Sequence, residues 1–239
     1  MTALTWACFP AGENCLVIEA QGGDPLQHSA WAAAVAVALR AADMAGVIEV
    51  VPAMRTVGLH YAPASLRSMA APGEIAYQTL VRLVSQVMQS RHMDQRGATR
   101  MIDIPVCYGG AHGPDLEETA QACGLAAPEL VALHAQGEVT VQMIGFAPGH
   151  PYIGTFDSRL SLPRRPQPRT SVPTGSIGLA NRQSVIYPLE LPGGWNLIGR
   201  TPLKLFDPLR QPACLLQPGD QVRFVPISPE EFAAMEGMQ

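Results

Sequence analysis

Lysine is nearly absent from this 239-residue chain: of its sixteen basic residues only Lys204 is a lysine. That rules out lysine-based chemistry, a Schiff base included, at every other position. Paired cysteines are missing too. The five cysteines, Cys8, Cys15, Cys107, Cys123 and Cys214, form no CxxC pair and are odd in number. Neither a disulfide framework nor a zinc site follows from such spacing. A reduced, cytoplasmic chain is the expectation. No long apolar run is present. The longest, Ala30 to Leu39, ends at Arg40 and is too short to span a bilayer. The first fifteen residues lack a basic segment followed by an apolar core, so no signal peptide is expected. Excess charge is missing as well. With 15% charged residues, a net charge of -4 and a pI near 5.8, neither nucleic acid nor an anionic membrane is indicated as a partner. The six histidines show no HxH or HExxH spacing, so no metal site is expected.

What the chain does have is apolar content, 47% of residues, enough for two small cored domains. Residues 15–20 read as a strand after the turn at residues 11–14. A helix follows, from Asp24-Pro25 to about Met44, stopped before Gly46. Val47–Val51 and Thr56–Tyr61 read as strands, and a helix is clearest from about Pro72 to Arg91. The order β-α-β-β-α is the start of a ferredoxin-like split unit. The polar residues 91–100 read as a linker between domains at residues 1–92 and 100–239. Beyond it, Met101–Val106 and Val139–Ile144 are expected strands. Helices are expected after Asp115, stopping at Gly124, and from Pro128 to His134. A strand at Asp220–Ile227 is followed by a helix with a capping box, Ser228-Pro229-Glu230-Glu231.

The stretch from Gly145 to Asp207 carries the candidate site. Prolines and glycines punctuate short β-like runs at Ile177–Leu179, Val185–Tyr187, Trp195–Ile198 and Leu203–Phe206. Arginines stand at the turns. Arg164, Arg165 and Arg169, interleaved with prolines, read either as solvated loop charges or as a pre-ordered anion-binding loop. Arg200-Thr201, after a strand, reads either as a phosphate- or carboxylate-binding pair or as a holder of neighbouring turn carbonyls. Gly193-Gly194-Trp195 reads as a hairpin turn or as a close backbone approach to a ligand with an indole wall. His150 and Tyr152 lie in the same stretch. Ser176 is not in a GxSxG elbow, and no catalytic triad can be assembled by spacing. The glycine loop at residues 109–113 lacks the lysine-serine/threonine ending of a P-loop and reads as a tight turn. No catalytic base stands out.

Taken together, GFAPGHPYIGT, PRRPQPR, VPTGSIGLA, YPLELPGGW and IGRTPLKLFD, in this order, resemble the family of the 5-oxoprolinase B subunit, also called allophanate hydrolase subunit 1 or KipI-like kinase inhibitor. IPVCYGGAHGPDLEETA and LLQPGDQVRFVPIS extend the resemblance. It implies an α+β chain: a small ferredoxin-like α/β amino-terminal domain followed by a cyclophilin-like β-barrel. It implies two partners, a homologous C subunit and a third subunit, with ATP and Mg²⁺ used to open 5-oxoproline to glutamate. Such lactam opening calls for phosphorylation of the amide oxygen and for groups that hold developing negative charge. Arg164, Arg165, Arg169 and Arg200, with the Gly193-Gly194 backbone, are the residues the resemblance suggests for an anionic substrate at a subunit interface. Two other roles belong to relatives of this kind: inhibition of a sporulation histidine kinase, and the carboxyltransferase part of urea carboxylases.

Overall fold

The computed structural model describes residues 3–90 and 100–237. It divides into two units, Met1–Ala98 and Thr99–Gln239. Most of the expected linker, residues 91–99, lies outside the described residues. Arg100 is fixed rather than loose, through an ion pair with Asp220 and a hydrogen bond to the Leu215 carbonyl.

In the first unit, β1 (Thr5–Pro10), β2 (Cys15–Gln21), β3 (Val47–Pro52) and β4 (Thr56–Tyr61) form an antiparallel sheet in the order β1-β2-β4-β3. Strands β2 and β3 both run antiparallel to β4, so they are parallel to each other with β4 between them. The helix α1 (Pro25–Ala41) connects them. Along β2 every second residue is buried, Leu16, Ile18 and Ala20, which gives the sheet one apolar face. Ala32, Val35, Ala36 and Leu39 of α1 cover that face, with Leu80 and Val84 of α3 (Ala76–Ser90). The segment after Pro63 is not one continuous helix. A single turn, α2 (Pro63–Leu66), and a 3-10 turn at Arg67–Met69 precede α3. Gly73, at φ +82, punctuates the approach to α3.

The second unit is a closed seven-stranded barrel. Its strands are β5 (Met101–Tyr108), β6 (Val139–Ile144), β7 (Pro151–Gly154), β9 (Ser176–Ala180), β10 (Gln183–Ile186), β12 (Asn196–Arg200) and β13 (Gln221–Pro226), in the order β10-β7-β6-β13-β5-β12-β9. Closure removes the exposed edges that an open sheet of this size would present. A separate two-stranded ribbon pairs β8 (Arg169–Val172) with β11 (Leu191–Gly193). Helices α4 (Leu116–Ala122) and α5 (Ala127–Ala135) lie between β5 and β6, and α6 (Pro229–Glu236) follows β13 with the expected capping box. Leu203–Phe206 is not a strand; only Phe206 makes a single bridge, to Cys214. The side chain of Arg210 donates to the carbonyls of Lys204, Leu205, Pro212 and Ala213, which holds this segment as a loop. Among the described residues no helix is long and apolar enough to cross a membrane.

Ile104, Val106, Ile153, Ile177, Leu179, Ile198, Val222 and Phe224 fill the barrel. One polar chain crosses this core. Ser184 Oγ donates to the Gly178 carbonyl at 2.9 Å, so it accepts from His134 Nε2 at 3.1 Å. His134 Nδ1 then accepts from the Tyr108 hydroxyl at 2.7 Å. The imidazole stacks on Phe156, with centroids 4.8 Å apart. Burial pushes the His134 pKa down to about 3. The unfolded chain therefore binds a proton that the folded chain refuses between pH 6.5 and about 3. Stability contributed by this neutral imidazole is full above pH 6.5 and falls with pH across that window, by about 1.4 kcal/mol per unit. Urea midpoints measured at pH 7, 6 and 5 should decline accordingly. A flat profile would show that His134 is not held neutral.

Candidate functional site

The arginine loop between Leu162 and β8 is folded onto the barrel chiefly around one buried carboxylate. Asp115, next to α4, is nearly fully buried. Its Oδ1 accepts from Arg169 Nη2 at 2.6 Å and from Arg165 Nη1 at 3.3 Å, and its Oδ2 accepts from the Leu197 amide at 2.7 Å. Arg165 also reaches Glu118 at 3.1 Å, and its own amide donates to the Gly194 carbonyl at 2.7 Å. Arg165 and Arg169 therefore anchor the loop. Arg164 is different. Its guanidinium lies 4.5 Å from the Trp195 ring centroid, and no hydrogen bond or ion pair engages it among the described residues. A cation over an indole face is attracted to it while its N–H donors stay free.

Trp195 belongs to an apolar group outside the main barrel core, with Val172, Ala180, Val185, Tyr187 and Leu197, and with Tyr152 against it. His150 joins this group from the turn before β7. Its ring centroid is 5.2 Å from that of Tyr152, 5.3 Å from that of Tyr187 and 5.3 Å from that of Phe146. Tyr152 meets Trp195 edge-on at 6.1 Å. Burial, opposed by a hydrogen bond to the residue's own backbone and aided by the nearby Arg164 charge, lowers the His150 pKa to about 4. Burial raises the Tyr187 phenol to about 12. At neutral pH both groups are uncharged hydrogen-bonding groups within an aromatic lining, with the Arg164 cation close enough to lower both values.

Gly193, opposite Arg169 in the ribbon, passes directly over the Tyr187 hydroxyl, where any added Cβ would collide. Gly193→Ala should force the ribbon or Tyr187 to move, at a cost of about 1–3 kcal/mol. A denaturant midpoint unchanged from that of the wild-type chain would refute this contact. Gly194 serves by its carbonyl, bound to Arg165.

Other residues picked out in the sequence are used differently. Arg200 donates to the Thr174 carbonyl at 2.7 Å, lies 5.5 Å over the Phe232 ring and pairs with Glu236 at 3.5 Å. Its guanidinium ties α6 to the barrel. Thr201 is buried and its Oγ1 accepts from the Leu203 amide. Ser176 is buried opposite Arg200 in the β9–β12 pair, and its carbonyl accepts from the Tyr187 amide. The 109–113 loop turns back on itself, its Gly109 amide bound to the Ile198 carbonyl and Gly113 packed against that same carbonyl. Two residues central to the site, Asp115 and Tyr187, were not among the sequence candidates. Asp115 read as a helix-start carboxylate and Tyr187 as the end of a β-run. The available signal was the buried-strand character of residues 185–187 ending in a tyrosine that needs a partner.

A family model for the carboxyltransferase domain, subdomain C and D, matches residues 6–216. The chain is 41% identical over 221 residues to the 5-oxoprolinase B subunit of Escherichia coli O157:H7, covering 92% of this chain and 95% of that protein. It belongs to the 5-oxoprolinase B-subunit family. The corresponding B subunit of Bacillus subtilis (strain 168) is 40% identical over 190 residues, 79% of each chain. Among solved structures, TTHA0988 superposes with a TM-score of 0.75 at 33% identity over 90% of this chain, which spans 40% of the TTHA0988 chain. Within the family, the matched region takes in Asp115, the arginine loop, His150, Tyr187 and Trp195, so the whole site falls inside it.

Proposed function

We propose that this chain is the B subunit of a heteromeric, ATP-dependent 5-oxoprolinase and supplies half of a substrate site from its barrel. Its partners in this reading are a homologous C subunit and a third subunit. Similarity to the Escherichia coli O157:H7 5-oxoprolinase B subunit over nearly its whole length supports the reaction. The observation that carries the site is Arg164, exposed, with its guanidinium carbon 4.5 Å from the Trp195 ring centroid and its donors unengaged among the described residues. 5-Oxoproline carries a carboxylate, and a planar guanidinium matches two carboxylate oxygens. Arg165 and Arg169 position the loop through Asp115, and the Gly193–Tyr187 contact positions the ribbon.

Lactam opening draws on ATP with Mg²⁺. The glycine loop at 109–113 does not fit a phosphate cradle, because it packs on the Ile198 carbonyl of β12. We assign nucleotide handling to the partner subunits and substrate orientation to this one. In the same reading the barrel is cyclophilin-like. The first unit is ferredoxin-like, with β1 taking the fourth-strand place beside β2; the parallel β2–α1–β3 crossover split by β4 supports this.

The test is reconstitution of the three proteins with ATP, Mg²⁺ and 5-oxoproline, with glutamate as the readout. Glutamate should form with this chain and not when it is left out. Equal turnover without it, or an effect confined to a histidine kinase's autophosphorylation, would overturn the reading.

A further inference from the structure

Arg164 lies over Trp195, so the place of that cation depends on what seats the indole. Trp195 is 4% exposed and follows directly on the ribbon strand β11 and Gly194. The β8–β11 ribbon is not hydrogen-bonded into the barrel ladder, so strand pairing does not set its height above the barrel. Side chains and turns must do so. On one side the Arg165 amide donates to the Gly194 carbonyl at 2.7 Å. Beneath the turn lies Tyr187, 1% exposed, with Gly193 passing directly over its hydroxyl.

Tyr187 is itself fixed to the barrel. It comes directly after β10, its amide donates to the Ser176 carbonyl at 3.0 Å, and its carbonyl accepts from the Gly175 amide at 2.7 Å. Its ring packs edge-on against His150 and shares an apolar group with Trp195 and Val185. At the far end of the ring, the phenol oxygen accepts from the Trp195 backbone. The phenol is thus a strut between the barrel wall and the turn that carries the indole. The other face of Trp195 is met by Gly178 of β9. A Cβ added there would lie 2.6 Å from the Trp195 Cβ and 3.0 Å from Val185 Cγ2, so only a glycine lets the indole sit this close.

We infer that Tyr187 is a positioning residue: its hydroxyl, set under the turn from Gly193 to Trp195, fixes the indole over which Arg164 lies, and so the place of the cation that takes the substrate carboxylate. This rests on the 5-oxoprolinase reading. A buried tyrosine hydroxyl has to find a partner, and here the partner is the backbone of the turn. Burial raises the phenol to about 12, so it stays protonated at working pH and serves as a hydrogen-bonding group rather than a base. Its influence on substrate must pass through Trp195 and Arg164, and must vanish when Arg164 is gone.

The test uses Tyr187→Phe in the full chain, which keeps the ring and removes only the hydroxyl. In the reconstituted complex KM for 5-oxoproline should rise about fivefold, the usual net contribution of one neutral hydrogen bond, with kcat held within about twofold. In the Arg164→Ala background the same change should leave KM within about twofold. A tyrosine that only braced the fold would raise KM by the same factor in both backgrounds, or would lower kcat, and either result would overturn the inference. A second measurement needs no turnover. Arg164→Ala should move the Trp195 indole N–H resonance of the isolated full chain, and should move it much less when Tyr187 is already phenylalanine. Equal movement in both would overturn the inference. Absence of glutamate formation by the wild-type complex, with the resonance coupling present, would fault the enzyme reading alone.

Discussion

Asp115→Ala is expected to destabilise the second unit by about 3–5 kcal/mol, the usual cost of removing one member of a buried ion pair. Asp115 is nearly fully buried and closes three contacts at once: Arg169, Arg165 and the Leu197 amide. Its removal leaves the Arg169 guanidinium, already carrying one unpaired buried nitrogen, without any carboxylate. It also frees the loop that presents Arg164 to Trp195. The expectation is therefore a double loss, of folding stability and of turnover in the assembled complex. Asp115→Asn should be milder, since an amide oxygen can still accept from Leu197. Urea unfolding checks the first part. An Asp115→Ala midpoint within about 0.5 kcal/mol of wild type, the range of ordinary surface substitutions, would show that the carboxylate does not hold the loop.

Arg164→Ala is expected to do the opposite: little to the fold and much to the substrate. The side chain is exposed and engages only the Trp195 face among the described residues. Loss of stability should stay within about 0.5–1 kcal/mol, the worth of an exposed cation–π contact. A hydrogen bond to a charged group contributes about 1.5–3 kcal/mol, so KM for an anionic substrate should rise about 10- to 150-fold. Arg164→Lys should recover only part of this, since a lysine offers a point charge without the planar fork. Arg200→Ala supplies the contrast, because its guanidinium is committed to Thr174, Phe232 and Glu236. It should lower stability and leave KM nearly unchanged. Steady-state kinetics on the two variants side by side separate these outcomes.

Local patterns made much of the barrel legible. The β-rich run at 177–179 became a strand whole, and those at 185–187 and 195–198 became strands except for Tyr187 and Trp195, because apolar and β-branched residues there face a buried surface. The capping box at Ser228 formed because its two hydrogen bonds need only residues three apart. Long-range partnership was harder to read. Asp115 and Arg169 are 54 residues apart, and nothing local marks either as the other's partner. The strand at Thr5–Pro10 is a largely exposed edge, so it lacks the alternation that reveals a half-buried strand. Leu203–Phe206 shows the reverse error. Its apolar residues suit a strand, but Arg210 takes the carbonyls of Lys204 and Leu205. The four arginines looked equivalent in the sequence, and only their partners in the fold separate Arg164 from the rest.

The division of labour in the site can be measured with two substrates and two enzymes. 5-Oxoproline and 2-pyrrolidone differ by the carboxylate that Arg164 is proposed to hold. Wild-type and Arg164→Ala complexes should be compared on kcat/KM for both. If Arg164 holds the carboxylate, removing either one should cost about the same, and removing both should cost little more than removing one. Equal losses from Arg164→Ala on the two substrates would place the arginine's role away from the carboxylate and contradict the site described for this barrel.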